Sequence, residues 1–127
     1  GVFDDIEIIL HVCGNTTHLL REMSDSGVAG LSLDSMVSFP EAASVVGEDL
    51  LLIGNINPVE MLQGTPQEIY IETYGLLEAM RDFPLFVLSS GCDLPQDVPM
   101  ANIEAFFKAG RDWKREAKSA PQKVLRK

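Results

Sequence analysis

Four short apolar runs recur along this chain, each closing on polar or small residues and each followed by a stretch with helical spacing. They are residues 6–11 (Ile6-Glu7-Ile8-Ile9-Leu10-His11), residues 28–34 (ending Leu31-Ser32-Leu33-Asp34), residues 50–53 (Leu50-Leu51-Leu52-Ile53) and residues 85–89 (Leu85-Phe86-Val87-Leu88-Ser89). Apolar runs of this length, bounded by Gly, Asn or Asp, read as strands. Strands that alternate with helices pair in parallel, because each connection is a crossover. Side chains that are apolar at nearly every strand position predict coverage on both faces. Two architectures remain: half of an eight-unit β/α barrel, or a small open parallel sheet.

The helices between these runs carry their own start and stop signals. Thr16 or Thr17 caps a helix to about Asp25, with Leu19, Leu20 and Met23 as its apolar stripe and Gly27 as its stop. Ser38 caps a helix that begins near Pro40 and Glu41, runs to Val46 and closes at Gly47. Asn57-Pro58-Val59-Glu60 predicts a capping box, with Asn57 as cap, Pro58 at the first helical position and Glu60 reaching back. Gly64 ends that helix. Thr65-Pro66-Gln67-Glu68 starts the next by the same device, which runs to about Asp82 with Ile69, Tyr70, Thr73, Leu77 and Met80 inward. Pro95 and Pro99 stiffen the loop before a last helix from about Met100 to Glu116, for which Ile103, Phe106, Phe107 and Trp113 supply a broad apolar face. Residues 1–116 are thus expected to form four strand-helix units, and residues 117–127 a basic, flexible tail.

Polar groups collect where the strands end. His11 and Cys13 lie two apart, so on a strand they emerge on the same side. Cys92, in Ser89-Ser90-Gly91-Cys92-Asp93, follows the fourth strand. One imidazole and two thiolates suit a zinc ion with a fourth position left for a substrate. The bland alternative is that both cysteines pack as small hydrophobes, which free cysteines commonly do. Asp34 ends the second strand, where it is a candidate to bind substrate or to hydrogen-bond His11. Asn55 follows the third and, unlike Asn57, has no capping role to explain it. All five fall at strand carboxyl ends, the face on which barrel enzymes do chemistry. His18 faces along a helix and is read as a surface or packing residue.

Composition narrows the class. The chain has 127 residues, 46% of them hydrophobic, enough for one domain with a core, and it holds no apolar run long enough to span a bilayer. No secretion signal is recognised, so two reduced cysteines in the cytoplasm are expected rather than a disulfide. Opening on Gly1-Val2-Phe3 fits a piece of a longer protein. The formal charge of −9 is unevenly spread: two cations face seventeen acids before Lys108, and eight cations face two acids from there on. A basic end of this kind suits a solvated helix terminus, and with Trp113 as its one aromatic it does not argue for nucleic acid. Neither nucleic acid nor membrane is an expected partner.

Ile9-Leu10-His11-Val12-Cys13-Gly14-Asn15, the Asp34 segment, Gly54-Asn55-Ile56-Asn57-Pro58 and Ser89-Ser90-Gly91-Cys92-Asp93-Leu94-Pro95 occur in the order seen in the uroporphyrinogen decarboxylase superfamily. Within it the chain resembles the branch of zinc-dependent corrinoid methyltransferases, which includes methylcobamide:coenzyme M methyltransferases. The resemblance runs from about Ile6 to Trp113 and matches the carboxyl half of that family's (β/α)8 TIM barrel. It implies zinc held by His11, Cys13 and Cys92, a pocket shaped by Asp34 and Asn55, a small thiol as methyl acceptor, and a methylcorrinoid carried on a partner protein as donor. Porphyrinogen decarboxylation is the alternative in the same superfamily, but it gives the His-x-Cys pair and Cys92 no task. A relative that uses tetrahydrofolate as methyl acceptor lacks these ligands. Half a barrel also leaves two unpaired strand edges, so a non-catalytic piece that forms a homo-oligomer is the reading from a different class.

Overall fold

The computed structural model describes residues 6–119. Four strands, β1 (Ile9–Val12), β2 (Gly30–Leu33), β3 (Leu51–Ile56) and β4 (Phe86–Ser90), form one sheet in the order β1-β2-β3-β4, with all three pairings parallel. A short 3-10 turn (Thr17–Leu19) and α1 (Leu20–Ser24) follow β1, and α2 (Phe39–Val46) follows β2. Next come α3 (Pro58–Gln63) and α4 (Pro66–Ala79) after β3, and α5 (Met100–Ser119) after β4. Strand order that equals chain order means every crossover steps in the same direction. Right-handed crossovers then put every helix on one side, which is the winding of a barrel rather than of a doubly wound sheet.

Alternation along the strands sorts the side chains. Leu31, Leu33, Leu52 and Ile56 are essentially inaccessible, and they belong to two apolar clusters on the helix side. One cluster joins β2 and β3 to Leu20 and Met23 of α1 and to Phe39 and Ala42 of α2; the other joins Ile56 to Met61, Ile69 and Ala105. The opposite face carries Ile9, His11, Ser32, Ile53, Val87 and Ser89, none of them buried. Coverage on both faces was expected, and this is corrected: among the described residues, the helices cover one face only.

Several boundaries also differ from expectation. The β3 strand does not stop at Gly54 but runs on to Ile56. Gly54 is there because its φ is +145° and a Cβ would lie 2.8 Å from the Leu33 carbonyl and 2.9 Å from the Phe39 ring. The first cap is supplied by neither threonine: Asn15 Oδ1 accepts from the Thr17 amide and hydroxyl. The α5 helix continues through residue 119, past the expected tail start at 117; residues 120–127 lie outside the described part. Its buried seam is Asn102, Ala105, Ala109 and Asp112, while Phe107 is 56% exposed. Small residues let α5 approach α4 closely, and Asp112 is satisfied there by Tyr70, Lys108 and Arg115. No helix among the described residues is long and apolar enough to cross a membrane.

Candidate metal centre

The inward parity that strand geometry gives to His11 and Ser32 makes them cross-strand partners. His11 Nδ1 lies 2.8 Å from Ser32 Oγ, which turns Nε2 toward the sulfur of Cys13, 3.5 Å away. Cys13 stands just past the end of β1 and is exposed; Cys92 stands two residues past β4 and is half-buried.

Bringing those cysteines together requires more than the sheet. The two strands are its opposite edges, and three inter-strand steps of about 4.8 Å would separate their ends by roughly 14 Å if the sheet were flat. The Cα atoms of Cys13 and Cys92 are nevertheless 6.2 Å apart. After β4 the chain doubles back over the ends of β3 and β2. The Gly91 amide donates to the Ile56 carbonyl at 2.7 Å. A Cβ on Gly91 would come within 2.5 Å of the Ser35 amide nitrogen and 3.1 Å of the Asp34 carbonyl carbon, so this crossing admits only glycine without displacement. The Ser90 hydroxyl donates to the Cys92 carbonyl at 2.8 Å and closes the turn.

Asp34 and Asn55 adjoin this group and are both half-buried. The Asp34 carboxylate accepts from the Gly14 amide at 2.6 Å with one oxygen, and from the Ser35 amide at 2.6 Å and hydroxyl at 3.2 Å with the other. Burial works to raise its pKa, but these hydrogen bonds and nearby His11 together outweigh it and hold the carboxyl below its ordinary value. The Asn55 amide nitrogen donates to the Asp34 and Val37 carbonyls. Of the two roles considered for Asp34, the hydrogen bond to His11 is not made: Ser32 is the partner of Nδ1, because it is the residue in register with His11. His18 is exposed, as expected. Ser32 and Gly91 were missed; a lone serine in an apolar strand and one glycine in a glycine-bearing loop give no periodic signal.

The ligating atoms of His11, Cys13 and Cys92 all lie within 4.8 Å of one another. An imidazole nitrogen fixed by its second nitrogen, together with two sulfurs, fits zinc in ligand type and in the support given to the histidine. In the structure the two sulfurs are joined as a disulfide, where a reduced pair was expected. Cysteines this close are within disulfide reach, whereas a cation needs both as thiolates. Ligation and disulfide formation are alternative uses of one arrangement.

Comparison with known proteins follows the same lines. The profile of the family described as Uroporphyrinogen decarboxylase (URO-D) matches residues 1–113. The methylcobamide:CoM methyltransferase MtbA of Methanosarcina acetivorans is 34% identical over 87% of this chain and 31% of its own length. MtaA of Methanosarcina barkeri, also a methylcobamide:CoM methyltransferase, is 35% identical over 82% of this chain and 30% of its own. A uroporphyrinogen decarboxylase of Novosphingobium aromaticivorans is 32% identical over 72% of this chain and 26% of its own. Among solved structures, a methyltransferase from Methanosarcina mazei superposes with a TM-score of 0.75 at 31% identity, covering 85% of this chain and 32% of that one. The chain therefore spans about a third of the length of the curated relatives it matches, and its four parallel strand-helix units are part of a TIM barrel. With a profile match that covers nearly the whole sequence, the chain belongs to the uroporphyrinogen decarboxylase (URO-D) family.

Proposed function

We propose that this chain is the carboxyl-terminal part of a zinc-dependent methyltransferase, which moves a methyl group from a methylcorrinoid protein to a small thiol such as coenzyme M. The observation that carries this reading is the convergence of His11, Cys13 and Cys92 within 4.8 Å, delivered from the two edge strands of the sheet. Relatives whose names give methylcobamide and CoM as their substrates support the reaction class. A zinc ion held there would ionise a bound thiol whose pKa of about 8.5 otherwise leaves it mostly protonated at neutral pH.

The chain's own residues supply the rest. His11 presents Nε2 because Ser32 engages Nδ1. Cys13 and Cys92 contribute thiolates, so the reading requires the reduced pair and a reducing compartment such as the cytoplasm. Asp34 and Asn55 shape the substrate position by fixing the turns that border it. Methyl transfer belongs to the full-length protein, and the 127-residue piece alone is expected to be inactive. Decarboxylation is disfavoured because it leaves the three converging ligands without a task.

Metal analysis of the reduced chain tests the proposal. About one zinc per chain is expected, lost in Cys13→Ser and in Cys92→Ser while the far-ultraviolet circular dichroism is retained. Reduced wild type that takes up no zinc would remove the mechanism.

A further inference from the structure

We propose that Cys13 and Cys92 form a reversible redox switch, which a peroxide closes to a disulfide with release of the cation and which a dithiol reopens. The inference rests on the metal reading above and adds regulation to it. These two are the only cysteines in the 127 residues, so oxidation has a single intramolecular disulfide as its product. Their Cα atoms lie 6.2 Å apart, inside the range of about 4.4–6.8 Å that a disulfide spans. Two thiolates on one tetrahedral zinc, each at about 2.3 Å, hold their sulfurs roughly 3.8 Å apart. A disulfide draws them to about 2.0 Å, a change that side-chain rotation supplies without moving the backbone.

Contacts that do not involve sulfur fix the backbone on both sides. Cys13 follows directly on β1, whose pairing with β2 runs in register to Val12 and Leu33. Cys92 is held by the Gly91 amide on the Ile56 carbonyl at 2.7 Å and by the Ser90 hydroxyl on its own carbonyl at 2.8 Å. The fold itself therefore keeps the thiols facing each other across a sequence separation of 79.

Cys13 is exposed and meets an oxidant first, while half-buried Cys92 stands behind it. The Cys13 thiolate attacks a peroxide oxygen; an S–O bond forms, the O–O bond breaks and hydroxide leaves, giving a sulfenic acid. The Cys92 thiolate then attacks that sulfur; the S–S bond forms, the S–O bond breaks and a second hydroxide leaves. The sulfur pair has lost two electrons to the peroxide. Of the three ligands only His11 then remains, and it cannot retain the ion alone.

Hydrogen peroxide added to the reduced, zinc-loaded chain tests this, followed by a chromophoric chelator, thiol titration and intact mass. Both thiols should be lost with two hydrogens as about one zinc per chain is released, and dithiothreitol with zinc should restore the starting state. In a glutathione buffer without metal, the folded chain should favour the disulfide about 30–1,000-fold over the same chain in urea. Zinc retained through thiol oxidation, a product that dithiothreitol does not return to zinc binding, or equal equilibria in folded and unfolded chain would each overturn the switch and leave the metal reading in place. Wild type that takes up no zinc, yet closes and reopens the disulfide, would overturn the metal reading instead.

Discussion

His11 has two ring nitrogens, and the chain uses them differently. With Nδ1 against Ser32 Oγ, the Nε2 side faces the sulfurs. On the proposed zinc reading Nε2 needs its lone pair, which would leave the proton on Nδ1 with the serine oxygen as its acceptor. Ser32→Ala is therefore expected to weaken zinc binding by about 10–100-fold, with Ser32→Thr restoring most of it. Chelator competition measures both. If Ser32→Ala binds zinc as wild type does, the hydroxyl is incidental. At this scale the sequence was informative about which polar residues gather at the strand ends and silent about what holds them there. Two-residue alternation put His11 and Cys13 on one side of a strand, and Cys92 could be placed at another strand's end. Nothing in the local pattern says that the chain after β4 returns across two strands, because the cause is Gly91 resting on the Ser35 amide, a contact between distant residues. Asp34 was legible as a carboxylate at the end of a strand, while its hydrogen bonds to the Gly14 and Ser35 amides were not.

Elements whose ends are set by local hydrogen bonds were the most readable. Thr65 and Glu68 form the expected capping box in full, the threonine hydroxyl accepting from the Glu68 amide and the Glu68 carboxylate from the Thr65 amide. The same motif at Asn57 is only half realised. Asn57 accepts from the Val59 amide, but Glu60 does not reach back; Glu72 of α4 takes the Asn57 amide, and Glu60 is its hydrogen-bond partner. A helix from elsewhere in the chain has displaced the local partner, which no four-residue motif encodes. Burial first, and then the hydrogen bond and like charge of Glu60, raise the Glu72 pKa from its ordinary 4.5 to about 7, against the lowering by the Asn57 amide. Between those values the folded chain holds a proton that the unfolded chain has released, so this pair favours folding at low pH, and the benefit is lost as pH rises through about 7. Glu72→Gln should accordingly melt close to wild type at about pH 4.5 and a few degrees above it at about pH 8. Equal melting temperatures at both pH values would mean the two carboxylates do not share a proton. The apolar face of α5 was read with less success. Ile103 and Phe106 pack against the Ile56 cluster as the helical spacing suggested, but the buried seam is Asn102, Ala105, Ala109 and Asp112, and Phe107 is turned outward.

For the molecule as a whole, strand-helix alternation was enough to identify parallel β/α units, but it could not say how many faces of the sheet this chain covers. Apolar residues at both parities imply two covered faces. The helices of the described residues supply one, leaving Ile9 50% and Val87 44% exposed beside half-buried Ile53. Each of β1 and β4 also pairs on one side only among the described residues, which leaves rows of backbone donors and acceptors free to recruit another strand. The solved relative that superposes on this chain is about three times as long, so it has further chain with which to cover the equivalent surface. A second copy of these 127 residues would supply such cover, and self-association is the expected outcome for them in isolation, with two-fold closure the arrangement that pairs both edges at once. Light scattering at micromolar concentration should give a mass of at least twice 13.9 kDa. Placing a charge on the open face, as in Val87→Lys, should shift the population toward the single chain, since an inward-pointing lysine opposes edge pairing and costs desolvation on a covered face. A wild-type chain that scatters as a monomer at that concentration, with its circular dichroism intact, would show that one covered face is enough to hold the sheet.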